Sequence, residues 1–256
     1  MITVKRFRKL EGALRAAGYG PMIEWSEHIQ PVSTAEEFAG EAIYVICNSG
    51  MKNSVAAPIA VRCLAALAAG ASVRTVFGHP GKSAAIDTIW QQRATLFERF
   101  SRENDKVDIL SELPWIGPVT RHHLAKNLGA DTAKPDVHLE RLARRDKTTT
   151  QTLCRRLARQ TGYRIATIDS ILWRACADGL LNSRRYEAEG WKAAFRPAVL
   201  ETIKVDVTDG PERKGGSDPP LPEAKTSVDG SRNGVANHAQ QNDFDDAAIA
   251  AANMAS

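Results

Sequence analysis

Long hydrophobic runs are missing from this chain of 256 residues. No stretch approaches the roughly 18 uncharged apolar residues that form a membrane-spanning helix, so we expect no membrane partner. The basic first segment, MITVKRFRKLEGAL, also lacks the apolar core and the cleavage site of a secretory signal. These absences argue against the membrane and secreted classes and predict a cytoplasmic protein.

Cysteine is scarce, and its spacing does not suggest metal binding. The four cysteines, Cys47, Cys63, Cys154 and Cys176, include no C-x-x-C pair. Zinc sites and iron–sulfur clusters commonly use such pairs, so we expect no metal held by side chains. Reduced thiols in a cytoplasm are the simplest interpretation.

Strand patterns and internal repeats are also scarce, and helical spacing takes their place. After a break near residues 48–53, apolar side chains recur at Val55, Ile59, Cys63 and Leu67, and the pattern stops at Gly70. The sequence therefore predicts an all-α fold, with further helices in SAAIDTIWQQRATLFERF, TTTQTLCRRLARQTG and TIDSILWRACADG.

Charge divides the chain into two parts. Residues 206–256 hold nine acidic and four basic residues, a net charge of −5, and the preceding part holds 30 basic and 21 acidic ones, a net charge of +9. The last part is rich in Gly, Pro and Ser, which predicts a disordered tail after a helical body of residues 1–205. A basic body is typical of nucleic-acid binding, but an ordinary solvated surface explains the charge alone equally well.

One segment has the composition of a tight hairpin between two helices, residues 109–129. Within LPWIGP, residues 113–118, two prolines exclude a continuous helix, and Gly117 permits a positive φ. Pro118 suits the first turn of a second helix, which we predict from Val119 to Asn127.

The hairpin has two interpretations. Backbone amides at the N-terminus of its second helix could bind a phosphate without reading the bases, with charge added by Arg121, His122 and Lys126. Alternatively, it is an ordinary corner between helices that Trp115 and Ile116 pack.

Further along, the segment AKPDVHLERL places Asp136 after a proline and before an apolar-periodic run. Asp is a common N-cap, because its side-chain oxygen accepts hydrogen bonds from the first backbone N–H groups of a helix. The helix terminus also favours the ionised carboxylate. On local sequence alone, Asp136 is a helix cap.

The hairpin followed by a Pro-Asp-x-His run resembles the helix-hairpin-helix DNA glycosylases, the HhH-GPD superfamily. The matching motifs are LPWIGPVT at 113–120 and KPDVHLERLAR at 134–144, and the resemblance extends over residues 30–185. It implies a fold of helical bundles that flank a DNA-binding cleft, with double-stranded DNA as the partner. The DNA-binding residues that it implies are Trp115, Ile116, Gly117, Pro118, Val119, Thr120, Arg121 and Lys126.

The resemblance implies that Asp136 is catalytic as well as capping. Breaking an N-glycosidic bond develops positive charge on the sugar, and a nearby carboxylate stabilises that charge and orients the attacking water. Bifunctional members carry a nucleophilic lysine where this chain has Val119, so the resemblance implies a monofunctional enzyme. Lys52, Lys126 and Lys134 are the off-position lysines that a lyase would need.

Two positions depart from the family pattern. Trp115 replaces the first hairpin glycine, and Arg121 replaces a small residue. We expect an altered hairpin with Trp115 packed inward. A monovalent cation on the hairpin carbonyls is the only cofactor that the resemblance suggests, and His138 is expected to have a structural role.

A flipped base also needs a wedge and a pocket. The resemblance places the wedge in NSGMKN, at Met51, Lys52 or Asn53, although a methionine here is more often part of a core. A tryptophan is more often part of a core than of a pocket, and an aspartate placed as Asp169 is more often a helix cap. The candidates for the pocket are Trp173 and Asp169, with Trp25, Trp90 and Tyr44 as further residues of suitable type.

The sequence thus predicts a monomeric, monofunctional DNA glycosylase of the cytoplasm or nucleoid, which excises a damaged or modified base. Base-excision repair and defence against phage DNA with modified bases, such as glucosylated hydroxymethylcytosine, both remain open. The alternatives are a non-catalytic DNA structure-binding protein and a bifunctional glycosylase/lyase that uses an off-position lysine.

Overall fold

In a computed structural model, residues 1–197 are described, and the predicted tail lies outside them. The described part is helical, with one isolated antiparallel bridge, between Leu181 and Phe195, so the all-α class is confirmed. None of its helices is both long and apolar enough to cross a membrane. The helices are α1 (Val4–Leu14), α2 (Gly20–His28), α3 (Ala35–Asn48), α4 (Asn53–Ala68), α5 (Pro80–Arg102), α6 (Thr120–Asn127), α7 (Val137–Arg145), α8 (Thr150–Thr161), α9 (Ile165–Ala177), α10 (Ser183–Glu189) and α11 (Trp191–Ala194).

Side-chain caps set where several helices begin. Thr34 and Glu37 form a reciprocal capping box at α3, and Thr149 accepts from a backbone N–H of α8. His79 caps α5 by accepting the N–H of Lys82 at 3.2 Å. For this reason α5 begins at Pro80, one turn before the start at Ser83 that the apolar pattern predicts.

The predicted break between α3 and α4 is present, but α4 buries only Cys63 and Leu67 of the four predicted apolar positions. Val55 is 51% exposed and Ile59 is half-buried. The spacing of 4, 3 and 4 residues keeps another set of side chains on one side of a 3.6-residue helix. That buried set is Ala56, Ala60, Cys63 and Leu67.

Two hydrophobic clusters divide the helices into two lobes. The terminal lobe packs α1 and α2 against α7–α11, and the central lobe packs α3–α6. The chain passes between the lobes twice within the described residues. The first connector joins α2 to α3, and the second joins α6 to α7.

The two connectors touch each other at Gly129. This residue has φ 91°, and a Cβ placed on it would lie 2.7 Å from the backbone Cα of Pro31. The guanidinium of Arg164, on the loop before α9, donates to the Gly129 carbonyl at 2.7 Å and to the Ile29 carbonyl at 3.3 Å. This contact fixes the path of the chain toward the start of α7.

Candidate functional site

Asp136 caps α7 at the end of the second connector. Its Oδ1 accepts hydrogen bonds from the backbone N–H groups of His138 and Leu139, both at 2.9 Å. The predicted cap is therefore present. Since both bonds use the same oxygen, capping does not occupy Oδ2. The His138 ring is held by Ser183 of α10 through its Nδ1, at 2.9 Å.

Burial has the largest influence on the protonation of Asp136. Its pKa is raised to about 6, first by removal of the half-buried carboxyl from water and further by the charge of Asp169. The two backbone N–H groups and the charge of Lys134 lower it. The helix terminus alone predicts a fully ionised acid, but desolvation outweighs its amides. The group therefore titrates just below neutral pH.

A buried ion pair lies beside Asp136. Asp169, on α9, is 2% exposed; one of its oxygens pairs with the Lys126 ammonium of α6. The other oxygen accepts the backbone N–H of Lys134 at 2.9 Å, two residues before Asp136. Because α6 belongs to the central lobe and α9 to the terminal lobe, the pair joins the lobes at the acid.

This pair changes the interpretation of both residues. The sequence predicts a phosphate contact for Lys126, whereas its ammonium is directed into the protein, toward Asp169 and Ser170. Because Asp169 engages this ammonium inside the protein, Lys126 is also poorly placed to act as the nucleophile of a lyase. The sequence offers Asp169 as a helix cap, but α9 begins at Ile165 and Asp169 lies inside it.

Replacing Asp169 should alter the titration of Asp136. In Asp169→Asn, the amide oxygen still accepts the N–H of Lys134, while a negative charge next to Asp136 is lost and Lys126 is left unneutralised. Both changes lower the pKa of Asp136. We expect the carboxyl resonance of Asp136, followed by NMR as the pH is varied, to titrate at lower pH in Asp169→Asn than in the parent protein.

Asp131→Asn is the matched control for this prediction. Asp131 also links the second connector to the terminal lobe, since it accepts the backbone N–H of Ala166 at 3.0 Å and lies 3.9 Å from Arg164. It does not contribute to the shift at Asp136. A titration of Asp136 that stays in place in Asp169→Asn, or moves equally in Asp131→Asn, would contradict the assigned role of Asp169.

The hairpin contains the predicted tight turn, but Trp115 is its left-handed residue. Trp115 has φ 68°, and Gly117 lies outside the left-handed region. The tryptophan thus has the backbone conformation that glycine adopts easily, at the position where the family pattern has glycine. Before the turn stands a single 3₁₀ turn, Ile109–Glu112, and not the full helix that we predicted.

The prediction that Trp115 packs inward holds only in part. The indole lies against Gly81 and His79, but the residue stays 44% exposed. The residues that turn into the central lobe are Leu113 and Ile116, which are 4% and 6% exposed. Pro118 and Val119 are exposed beside it. The tip of the hairpin therefore presents apolar side chains to solvent.

Part of the hydrogen-bonding capacity of the hairpin is used internally. The N–H of Gly117 donates to Thr120 Oγ1 at 2.7 Å, and the Gly117 carbonyl accepts the N–H of Arg121 at 3.0 Å. The carbonyl of Leu113 also accepts a bond within the turn. A phosphate would have to bind amides at the start of α6, and a cation would compete for these carbonyls. Arg121 itself pairs with Asp108 at 3.5 Å.

The predicted wedge residues have different environments. Asn53 is 1% exposed and accepts the hydroxyl of Tyr44 at 2.7 Å, so it cannot act as a wedge in this conformation. Met51 packs against the core of the central lobe, as the alternative interpretation has it. Lys52 is exposed, which leaves it as the one wedge candidate of the three that faces solvent.

The predicted pocket aromatics pack against protein. Trp173 lies against the core of the terminal lobe with Arg174 over its ring, 5.1 Å from the centroid. Trp90 packs on the central lobe, with Arg93 4.4 Å from its ring centroid. Trp25, on α2, is half-buried. The structure therefore does not bring these tryptophans together in a pocket.

Two titratable residues, Glu41 and Lys82, were not predicted from the sequence. Burial raises the pKa of Glu41, on α3, to about 7, against the lowering effect of an amide N–H that Asn127 donates at 2.9 Å. Asn127 follows Lys126, so Glu41 is a second carboxyl near the junction of the lobes. Lys82 is 4% exposed and donates to the carbonyl of Ser49 at 2.6 Å. A glutamate inside the apolar run FAGEAIYVIC was the available signal for Glu41.

The cysteine thiols of residues 1–197 form no further centre. The four cysteines are free and buried, and no group of three His, Cys, Asp or Glu side chains in residues 1–197 is arranged to hold a metal ion. Searches against protein-family models, curated proteins and solved structures found no match for this chain.

Proposed function

We propose that the chain is a monofunctional DNA glycosylase in which Asp136 drives hydrolysis of an N-glycosidic bond. The observation that carries this proposal is the carboxyl of Asp136 itself. It is held rigidly by two backbone amides, keeps one oxygen clear of the cap, and titrates at about 6 at the junction of two lobes. A carboxyl whose pKa is raised by burial and by a neighbouring charge is a candidate for a catalytic group.

The proposed reaction uses water and no cofactor. As the bond between the sugar C1′ and the base nitrogen breaks, its electron pair leaves with the base, and positive charge develops on the sugar. The Asp136 carboxylate stabilises that charge and accepts a proton from the attacking water, whose oxygen bonds to C1′. The departing base takes up a proton, and an abasic site remains. Above pH 6 the carboxylate form predominates, so the reaction should slow as the pH falls through this value.

The partner that we propose is a DNA duplex with a damaged or modified base. The basic part of the chain, with its net charge of +9, supports an anionic partner. In the sequence, only α6 and the second connector separate the hairpin from Asp136. This short separation supports a DNA duplex that the hairpin binds and holds against the carboxyl. Repair and defence against modified phage DNA both fit this chemistry.

The proposal is tested by incubating the protein with a panel of damaged and phage genomic DNAs and identifying released bases by mass spectrometry. We expect one class of base to be released, and strand breaks to appear only after heating in alkali. Release of no base from any DNA, with duplex binding intact, would favour the alternative of a non-catalytic structure-binding protein.

A borohydride trap distinguishes the second alternative. A lyase forms a Schiff base between a lysine and the sugar, and reduction makes that adduct permanent. We expect no trapped adduct, because Val119 occupies the nucleophile position and Lys126 is paired with Asp169. An adduct that disappears in Lys52→Ala or Lys134→Ala would assign the reaction to a bifunctional enzyme.

A further inference from the structure

The backbone of Trp115 is held in a conformation that tryptophan rarely adopts. At φ 68° a Cβ crowds the neighbouring carbonyl, and bulky residues are genuine outliers there. Strained backbone of this kind is concentrated at functional sites, since surrounding contacts must hold it in place. Here the strained residue also exposes 44% of its side chain, so burial alone does not account for its presence.

The first turn of α5 is shaped to receive the Trp115 ring. A Cβ added to Gly81 would lie 2.5 Å from Cζ3 of the indole, so only glycine leaves room for the ring in this position. His79 contacts the indole edge-on, with ring centroids 5.1 Å apart, and Phe77 follows 6.2 Å from His79. His79 is exposed and Phe77 is half-buried. We call Phe77, His79 and Trp115 the aromatic row.

The loop between α3 and α4 is tied to the same end of α5. The ammonium of Lys82, one residue after Gly81, donates to the carbonyls of Cys47 and Ser49, at 3.1 and 2.6 Å. This buried lysine therefore ties the loop that continues to the exposed Lys52 to the first turn of α5, where Gly81 contacts the Trp115 ring. An aromatic surface with a nearby cation is the combination that binds unstacked bases and their backbone phosphates.

We propose that the aromatic row is a stacking surface for an unpaired nucleobase, with Trp115 as its principal contact. Every base has a flat apolar face, so such a surface selects unpaired nucleotides without selecting a base sequence. The proposal deepens the proposed function, on which it rests. A glycosylase that opens a duplex creates at least one unpaired base, and Trp115 would stabilise the opened state.

The test compares duplexes that differ by one unpaired nucleotide. Binding of a fully paired duplex and of a duplex with a single-nucleotide bulge is measured by fluorescence anisotropy, in the Asp136→Asn background so that no base is lost. Trp115→Gly relieves the backbone and removes the ring, and Trp115→Phe keeps a ring. We expect Trp115→Gly to lose roughly tenfold in affinity for the bulged duplex and to bind the paired one almost normally. Trp115→Phe should retain most of the preference.

Glycine suits φ 68°, so Trp115→Gly should unfold at the same temperature as the parent or higher, which separates lost stacking from misfolding. Equal affinity losses for both duplexes, or none, would overturn the stacking role. The proposed function is tested separately, by measuring base release from the wild-type protein. A Trp115-dependent preference for bulges without base release would retain the stacking surface and reject the glycosylase, and base release with an unchanged preference would do the reverse.

Discussion

Asp136→Asn should abolish base excision and, at the same time, make the protein more stable. In the proposed reaction, loss of the carboxylate removes both the group that stabilises charge on the sugar and the acceptor of the water's proton. Removing such groups commonly reduces rates by about a thousandfold or more. We therefore expect excision by Asp136→Asn to fall by at least about that factor.

The gain in stability follows from the raised pKa. The folded-state pKa of about 6 lies above the reference value of 3.8, so folding favours the protonated form. At pH 7 the charged form destabilises the folded state by about 1–3 kcal/mol, and that cost disappears as the pH falls through 6 toward 4. Asparagine has no charge to bury, and its oxygen can still accept both backbone N–H groups of α7.

The measurement is a pair of unfolding curves at pH 7 and pH 5, together with single-turnover excision. Asp136→Asn should raise the melting temperature at pH 7 and give a smaller difference at pH 5. Asp105→Asn is the control, because Asp105 also accepts two backbone N–H groups, those of Val107 and Asp108 at 3.0 Å, but is exposed. A destabilised Asp136→Asn, or one that retains excision, would contradict the assignment.

Gly129→Ala should destabilise the protein by about 3 kcal/mol or more. One part of this cost is the left-handed backbone, at φ 91°, which an alanine tolerates poorly. The larger part is the contact with Pro31, because the new Cβ would lie 2.7 Å from the Cα and 2.8 Å from the backbone nitrogen of that residue. Backbone cannot rotate away as a flexible side chain can.

Gly162→Ala separates the two contributions. Gly162 ends α8 with φ 84°, and no atom lies within 4 Å of its added Cβ, so only the backbone cost of about 1 kcal/mol applies. Urea unfolding of both variants should give a clearly lower midpoint for Gly129→Ala. Equal midpoints would show that the connectors can separate without loss. A Gly129→Ala variant whose connectors separate should also excise more slowly, because Gly129 lies on the chain path that leads to Asp136.

The sequence predicted those features that depend on local chemistry. Helical spacing and the capping role of Asp136 follow from patterns within one or two turns. The tight turn at residues 113–118 was predicted for the same reason, since two prolines act on their immediate neighbours. The sequence also gave the correct helical class.

Features that depend on distant residues were not predictable in this way. Lys126 looks like a surface base in sequence, and only the packing of α6 against α9 reveals its pairing with Asp169. The exposure of Trp115 depends on the room that Gly81 leaves in α5, 34 positions earlier. The pKa of Asp136 likewise depends on burial between lobes, which no local pattern contains.

The division into lobes has a consequence for the order in which the protein forms. All helices of the central lobe lie in one continuous stretch, whereas the terminal lobe needs α1 and α2 from the start of the chain and α7–α11 from much later. During synthesis, the central lobe and its hairpin can therefore fold while α1 and α2 still lack their partners. The emerging chain would acquire its hairpin well before Asp136 is locked in place, and the exposed apolar faces of α1 and α2 would be its most aggregation-prone surface in that interval.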